Sequence, residues 1–309
     1  MNIAAAERSR LTARAALAST TMAIILIGLK SYAALQTSSM AMLGSLADSS
    51  LDLVASLIVL LAVRIAAAPA DHDHRFGHGK AEALAALVQV IIITFSAAFI
   101  GFRAVQRLVA GATTGQAELG IGVSIIAIIL TVALISYQRH VVTRTGSLAI
   151  GTDRLHYSSD LLLNGSVIVA LALDQFLGWV GADAVFGVLI ALWLVWNAWQ
   201  ASSHALDQLM DREWPEERRA SFLAAAREYP ELEGLHDLRT RSSGTNYFAQ
   251  FHVWVPADWT VQHAHDQLDR VEEELQKRFP DTEILIHVDP EGQTDRETML
   301  PQEITERAT

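Results

Sequence analysis

Two pairs of ionisable side chains recur at the same spacing inside apolar stretches of the sequence. Asp48 and Asp52 are separated by four positions, and His156 and Asp160 repeat that spacing. In a helix, this spacing places both members of a pair on one face, with Cβ atoms about 5–6 Å apart. Each ionisable group at bilayer depth costs about 2.5–3.5 kcal/mol, so the four side chains should face one another inside a bundle. Three carboxylates and one imidazole match a tetrahedral zinc site without thiolates.

Hydrogen bonding between helices is the alternative role for these two pairs. Polar neighbours that could join the helices without an ion are Ser45, Ser49, Ser50, Ser158, Ser159 and Asn164. Three carboxylates that converge without a cation would repel one another, and this repulsion favours the metal site.

A second cluster of ligand-type residues occupies the short link after the second apolar stretch. Residues 71–80 read Asp-His-Asp-His-Arg-Phe-Gly-His-Gly-Lys. Such a density of histidine and aspartate suits a hard or borderline divalent cation. The alternative is a solvated polar turn, and spacing alone does not decide between His72 and His74 as a ligand.

A third set of ligand-type residues lies in the C-terminal third of the chain. Its members are His236, His252, His265, His287 and Asp289. Alternation along a strand places His252 opposite Phe251 and Val253, and it places the last two members together on the face away from the core. The first member precedes a strand and the third begins a helix, so all five are predicted to meet at one edge of a small domain. An isolated histidine there would be an ordinary surface residue, whereas five compatible positions favour a metal site.

Six apolar stretches must position the first two clusters. With 51% apolar and 18% charged residues and a mean hydropathy of +0.27, the composition is that of a membrane protein with a soluble part. A helix that spans the hydrocarbon layer needs about 20 mostly apolar residues. The stretches that meet this length are Ala13–Leu35, Met40–Val63, Ala83–Phe102, Leu119–Gln138, Ser147–Leu173 and Ala184–Leu206. The predicted architecture is an all-α six-helix transmembrane domain over residues 1–211.

Basic residues concentrate on one side of the predicted bundle. They precede the first helix and occupy the links between helices two and three and between helices four and five: Arg8, Arg10, Arg14, Arg64, Arg75, Lys80, Arg139, Arg144 and Arg154. Basic links of this kind face the cytoplasm, with Arg103 and Arg107 as exceptions on the opposite side. Six helices return the chain to its starting side, so both termini are predicted to be cytoplasmic.

The C-terminal region has the pattern of a small α+β domain over residues 212–291. The predicted order is α-β-β-α-β, which makes an open-faced sandwich. The predicted elements are a helix over Glu216–Glu228, strands over Leu235–Arg241 and Tyr247–Val255, a helix from Thr260 to Arg278, and a strand over Glu283–Asp289. Residues 292–309 are predicted to be a disordered acidic tail.

Charge and cysteine content exclude several classes of protein. Residues 212–309 carry 21 acidic and 11 basic side chains, whereas residues 1–211 carry 13 and 12. So acidic a domain repels nucleic acid and attracts cations. The chain has no cysteine, so a thiolate zinc site and a disulfide framework are excluded, and any metal must bind His, Asp and Glu.

Four motifs carry a resemblance to a known family. They are Asp48-x-x-x-Asp52, Phe76-Gly77-His78-Gly79-Lys80-Ala81-Glu82, His156-Tyr157-x-Ser159-Asp160 and His236-Asp237-Leu238-Arg239-Thr240-Arg241. Over about residues 10–290, the chain resembles the cation diffusion facilitators, and within them the bacterial zinc and ferrous-iron efflux pumps. The resemblance implies a homodimer in the bacterial inner membrane that exchanges metal for protons.

The resemblance also implies roles for individual residues. The transport site would take Asp48, Asp52, His156 and Asp160. The loop site would take Asp71, His74 and His78, with His72 and Asp73 as surplus ligands. A binuclear cytoplasmic site would take His236, His252, His265 and His287, with Asp289 bridging the two ions. Lys80 and Asp211 would form an ion pair that joins the two domains.

The predicted function is secondary transport of Zn²⁺ out of the cytoplasm, with Cd²⁺ or Fe²⁺ as further substrates. No ATP-binding motif occurs in the sequence, so a proton gradient would supply the energy. One alternative is a membrane zinc enzyme, although four protein ligands would close the position that catalytic zinc keeps for water. The other alternative is a metal sensor that moves nothing. Geometry and metal availability decide selectivity, so ligand types alone do not rank Zn²⁺ against Fe²⁺, Cd²⁺ or Mn²⁺.

Overall fold

The computed structural model describes residues 5–37, 40–110, 121–177, 179, 181–244 and 246–291. The chain divides into two compact units, one over Ala6–Leu206 and one from Asp207 onwards. Six long helices build the first unit: α1 (Ala5–Thr37), α2 (Met40–Ala66), α3 (Ala81–Ala110), α4 (Ile121–Thr145), α5 (Leu148–Leu177) and α6 (Ala182–Leu209). The predicted tail over residues 292–309 and the predicted start of the fourth helix at Leu119 lie outside the described residues.

The helical membrane domain predicted from the apolar stretches is confirmed. Within the described residues, five helical segments are long and apolar enough to cross a membrane: Ala6–Tyr32, Asp48–Ala66, Ala81–Gln106, Ile125–Thr145 and Ala184–Leu209. The remaining long helix, α5, carries Asp153, His156 and Asp160 among its apolar residues.

Contacts inside the first unit centre on α5, which packs against α2, α3 and α4. Several alanines belong to the buried core of this unit, and Ala15, Ala16, Ala85 and Ala149 are almost completely buried. Small side chains let helix backbones approach closely in a membrane. The polar positions of α2 and α5 are thereby brought against each other.

The second unit has the predicted order α-β-β-α-β. Its elements are α7 (Glu216–Ala226), a short 3₁₀ turn at Pro230–Leu232, β1 (His236–Ser243), β2 (Asn246–Val255), α8 (Val261–Arg278) and β3 (Thr282–Pro290). In the sheet, β2 is central, pairing antiparallel with β1 and parallel with β3. The α8 helix begins where predicted, because the Thr260 side chain accepts a hydrogen bond from the His263 N–H at 3.2 Å.

Both helices of the second unit cover the same face of the sheet. Their side chains Phe222, Leu268 and Val271 pack on Phe251 and Val253 of β2. Because side chains alternate across a strand, the even-numbered positions of β2 point away from this core. Among the described residues of this unit, no helix covers the other face of the sheet, and the predicted open-faced sandwich is confirmed.

Candidate metal sites

Among the described residues, three groups of carboxylate and imidazole side chains have ligand atoms within 4.8 Å of one another. The first lies inside the helical unit, where Asp52 of α2 meets His156 and Asp160 of α5. His156 Nε2 is 3.0 Å from Asp52 Oδ1, and the histidine is buried. Two oxygen donors and one nitrogen donor on facing helices are groups of the kind that a tetrahedral site for a divalent ion uses.

The fourth residue of the predicted intramembrane set lies outside this group. Asp48 is one turn before Asp52 on α2, and it is exposed. Its charge nevertheless interacts with Asp52 and with Asp160. The structure therefore brings three of the four predicted residues together and leaves Asp48 as an electrostatic neighbour.

Sequence reasoning missed Asp153, which precedes His156 by one turn on α5 and is completely buried. Its carboxylate accepts hydrogen bonds from Ser19 Oγ of α1 at 2.5 Å, Gln138 Nε2 of α4 at 2.7 Å and Gln89 Nε2 of α3 at 3.3 Å. A buried carboxylate with three donors is well satisfied and holds its partners in place. This network joins three helices to α5 and so fixes the helix that presents His156 and Asp160.

One signal for Asp153 was present in the sequence. Asp153, His156 and Asp160 follow one another at intervals of three and four residues, so they share one face of α5. Tyr157, which follows His156 in the sequence, extends the Asp153 network. Its hydroxyl contacts Ser56 Oγ of α2 at 2.9 Å and donates to the Ser19 carbonyl at 3.1 Å.

The second group lies in the loop between α2 and α3 and consists of Asp71, His74 and His78. Asp71 Oδ1 is 3.2 Å from His74 Nδ1, and Asp71 Oδ2 is 3.2 Å from His78 Nε2. Gly77 adopts a positive φ of 76°, which lets the chain turn so that His78 returns to Asp71. The side chains of His72 and Asp73 are 91% and 88% exposed and lie outside the group.

Backbone hydrogen bonds stabilise the ionised form of the Asp71 carboxylate. The His74 N–H donates to Asp71 Oδ1 at 2.6 Å, and the Asp73 N–H donates to the same atom at 3.0 Å. The His74 hydrogen bond above all lowers the pKa of Asp71. The carboxylate is therefore ionised at neutral pH and available to a cation.

The third group, which consists of His236, His252 and Asp289, lies on the open face of the sheet, and His287 lies beside it. Asp289 Oδ2 is 2.9 Å from His252 Nδ1 and 3.3 Å from His236 Nε2, and Asp289 Oδ1 is 3.5 Å from His287 Nε2. Strand register explains the convergence, because His252 pairs with His236 on one side and with His287 on the other. Asp289 thus presents both carboxylate oxygens to imidazoles, as a bridging ligand between two ions would.

Two residues that sequence reasoning did not select hold His236 in place. Its Nδ1 donates to the Gly234 carbonyl at 2.8 Å, and its Nε2 is the ring nitrogen that faces Asp289. Gly234 has a φ of 80°, and a Cβ atom there would lie 2.7 Å from the Trp254 ring. Trp254 in turn lies against the His236 ring, with ring centroids 4.9 Å apart.

The structure does not bring His265 to this group. His265 is exposed on α8, and α8 packs on the opposite face of the sheet from His252. It lines a groove beside the edge strand β3, with Asp269 and Leu285. The sequence indicates that His265 lies near the start of a helix and that His252 points away from the core. It does not indicate which side of the sheet that helix covers.

We expect Asp289→Asn to remove most of the stability that Zn²⁺ adds to fragment 212–309. A ligand present at 100 times its Kd stabilises a folded protein by about 2.7 kcal/mol, and this gain should approach zero without the carboxylate. The measurement is the melting temperature of the fragment with and without Zn²⁺. Glu283→Gln is the matched control, because Glu283 is exposed on the same strand and loses the same charge. An unchanged gain in Asp289→Asn would show that Asp289 is not a ligand.

Lys80 and Asp211 belong to different units, and the ion pair between them stays a prediction. Within its own unit, Asp211 has a positive φ of 56° and lies 3.6 Å from Arg241 Nη1.

Two family models match the chain. The cation efflux transmembrane domain matches residues 16–210, and the cation efflux protein cytoplasmic domain matches residues 214–291. The chain is 41% identical over 288 residues to the cation-efflux pump FieF of Escherichia fergusonii, covering 93% of this chain and 96% of that protein. It is also 41% identical to FieF of Klebsiella pneumoniae subsp. pneumoniae over 281 residues, covering 91% and 93%.

Among solved structures, the chain is similar to the metal-bound C-terminal domain of the CzcD transporter from Thermotoga maritima. The identity is 27% and the TM-score is 0.25, and the match covers 26% of this chain and 100% of that one. The two family models together extend over nearly the whole chain, and the FieF relatives are matched over almost their full length. The chain therefore belongs to the cation efflux family and is a multi-pass membrane transporter rather than an enzyme.

Proposed function

We propose that the protein exports Zn²⁺ from the cytoplasm in exchange for protons. The observation that carries this proposal is the meeting of Asp52, His156 and Asp160 between two helices of the membrane unit. Ionisable side chains at this depth are rare and mark ion pathways. A mixed set of oxygen and nitrogen ligands suits Zn²⁺, whereas Mg²⁺ and Mn²⁺ prefer oxygen alone. Cd²⁺ and Fe²⁺ are further substrates of the same site.

Asp48 is the proposed fourth ligand of this site. It occupies the same face of α2 as Asp52, and its charge already acts on the group. A bound divalent ion would attract this carboxylate, and its coordination would close the tetrahedral shell. Four protein ligands leave no position for a catalytic water, as befits a site that carries its metal unchanged.

Competition between metal and protons supplies the coupling. The carboxylates bind metal when ionised and the imidazole binds metal when neutral, so metal binding releases protons. A site that opens alternately to an acidic exterior and to a less acidic cytoplasm then loses metal on the first side and gains it on the second. Proton entry would in this way drive metal exit.

The remaining proposals concern placement and assembly. The distribution of basic residues supports a bacterial inner-membrane protein with both termini in the cytoplasm. The match of residues 214–291 to the family's cytoplasmic domain supports a homodimer. The loop group and the Asp289 group are proposed to hold resident Zn²⁺, which would offset the acidity of two neighbouring cytoplasmic domains.

Transport into sealed vesicles tests this function. The purified protein is reconstituted into liposomes that contain a zinc-sensitive dye, and Zn²⁺ is added outside while the interior is made acidic. We expect dye-reported zinc entry that requires the protein and that stops when an ionophore collapses the pH gradient. Zinc entry no faster than into protein-free liposomes would overturn the transport function. Zinc entry whose rate does not depend on the pH gradient would overturn the proton exchange.

A further inference from the structure

A lysine lies beside the proposed transport site, on a helix that supplies none of its ligands. Lys30 of α1 is partly buried, and its Nζ donates a hydrogen bond to Ser49 Oγ of α2 at 2.6 Å. Ser49 is completely buried, and it falls between Asp48 and Asp52 in the sequence. The Lys30 ammonium therefore points toward the ligand-bearing segment of α2.

The charge of Lys30 also reaches both halves of the site. It interacts with Asp48 on α2 and with Asp160 on α5. Lysines near helix ends ordinarily extend toward the membrane surface, where water solvates the ammonium. The Lys30 ammonium instead points to a buried serine next to the carboxylates. An electrostatic interaction with those carboxylates would explain this orientation.

Charge balance supplies that reason. With three ionised aspartates, a neutral histidine and one divalent cation, the loaded site would carry one net negative charge. The Lys30 ammonium cancels this charge. A net charge inside an apolar bundle is costly. A neutral metal-loaded site can therefore switch from opening to one side of the membrane to opening to the other more readily than a charged one.

We propose that Lys30 is the resident counter-charge of the transport site, and that it makes the metal-loaded site electrically neutral. This inference rests on the proposed function, because it concerns the same site. A hydrogen bond that merely joins α1 to α2 would need only a polar group at position 30. A counter-charge requires a cation there, and the two roles therefore predict different results for substitutions.

Loss of the positive charge should affect binding and turnover in opposite directions. A nearby ammonium weakens the attraction of the carboxylates for a second cation, so its removal should strengthen metal binding. The metal-loaded site would then keep its net negative charge, and its switch from one side of the membrane to the other should become slower. A structural defect would instead raise KM or lower Vmax without strengthening binding.

Kinetics in proteoliposomes distinguish these roles. Initial rates of Zn²⁺ uptake are measured against Zn²⁺ concentration for the full chain and for Lys30→Met, Lys30→Arg and Ser49→Ala. We expect Lys30→Met to lower Vmax by about tenfold and to lower KM by about threefold or more, changes of the size that one nearby charge produces. Lys30→Arg keeps the charge and should keep both constants within about threefold. Ser49→Ala removes the hydrogen bond but leaves the ammonium, and it should resemble Lys30→Arg.

The outcomes separate this inference from the function on which it rests. Wild-type values of KM and Vmax in Lys30→Met, or the same loss in Ser49→Ala as in Lys30→Met, would overturn the counter-charge alone. A raised KM in Lys30→Met would overturn it as well. Absence of Zn²⁺ uptake by the wild-type protein would overturn the proposed function and the inference together. Size-exclusion profiles that match the wild type show that each variant is folded.

Discussion

Asp52→Ala and Asp160→Ala are each expected to abolish metal transport while the protein still folds and inserts. Asp52 and Asp160 offer carboxylate oxygens to the same space as the buried His156 imidazole. Loss of a residue that only supports a metal ligand lowers metal affinity or activity by about 10–100-fold. Loss of a ligand itself should therefore lower uptake by more than about 100-fold. Replacement of an intramembrane carboxylate by alanine removes an insertion cost of roughly 2.5–3.5 kcal/mol, so the amount of folded protein should not fall.

Zinc uptake by proteoliposomes and the yield of detergent-solubilised protein are measured side by side. Ser50→Ala is the matched control, because Ser50 is exposed on α2 and its hydroxyl donates to the Leu46 carbonyl in its own helix. Asp48→Ala is included as well, and a comparable loss of uptake would establish Asp48 as the fourth ligand. Near-normal uptake by either Asp52→Ala or Asp160→Ala would remove the group between α2 and α5 from consideration as the transport site.

His156→Asp is expected to shift metal preference from Zn²⁺ toward Mn²⁺. His156 is the source of nitrogen in the group, and its Nε2 lies 3.0 Å from Asp52 Oδ1. Zn²⁺ binds imidazole readily, whereas Mn²⁺ favours a shell of oxygen atoms. We expect the ratio of Zn²⁺ uptake to Mn²⁺ uptake to fall by at least about tenfold, which corresponds to about 1.4 kcal/mol of discrimination.

The selectivity experiment compares uptake of Zn²⁺, Cd²⁺, Fe²⁺ and Mn²⁺ by the variant and the wild type. His140→Asp is the control, because it makes the same chemical change at an exposed position of α4. It should leave the ratio unaltered. If His156→Asp keeps the wild-type ratio, the histidine is not a ligand, and its contact with Asp52 serves packing alone.

Several parts of this protein are visible in the sequence because they depend on local periodicity. A helix places positions four apart on one face, so the two intramembrane pairs can be recognised without any tertiary information. Strand alternation likewise separates His252 from the core residue Phe251. The length of the apolar stretches predicts the long helices, and the Thr260 cap marks the start of α8.

Other parts became visible only in three dimensions. Asp153 draws its three donors from α1, α3 and α4, at separations of 134, 64 and 15 residues. The sequence places it on the correct face of α5 but does not indicate what that face meets. The exclusion of His265 from the Asp289 group has the same origin, because it depends on which face of the sheet α8 covers.

The sequence by itself determined the types of ligand, the helices and strands that carry them, and the family to which the chain belongs. These are local properties or properties of motifs. Tertiary structure decided which candidates meet: Asp52 with His156, Asp71 with His78, and three histidines around Asp289. It also placed Lys30 beside Ser49. Such contacts depend on how packed helices are rotated and how strands are registered, and spacing along one chain segment does not encode either quantity.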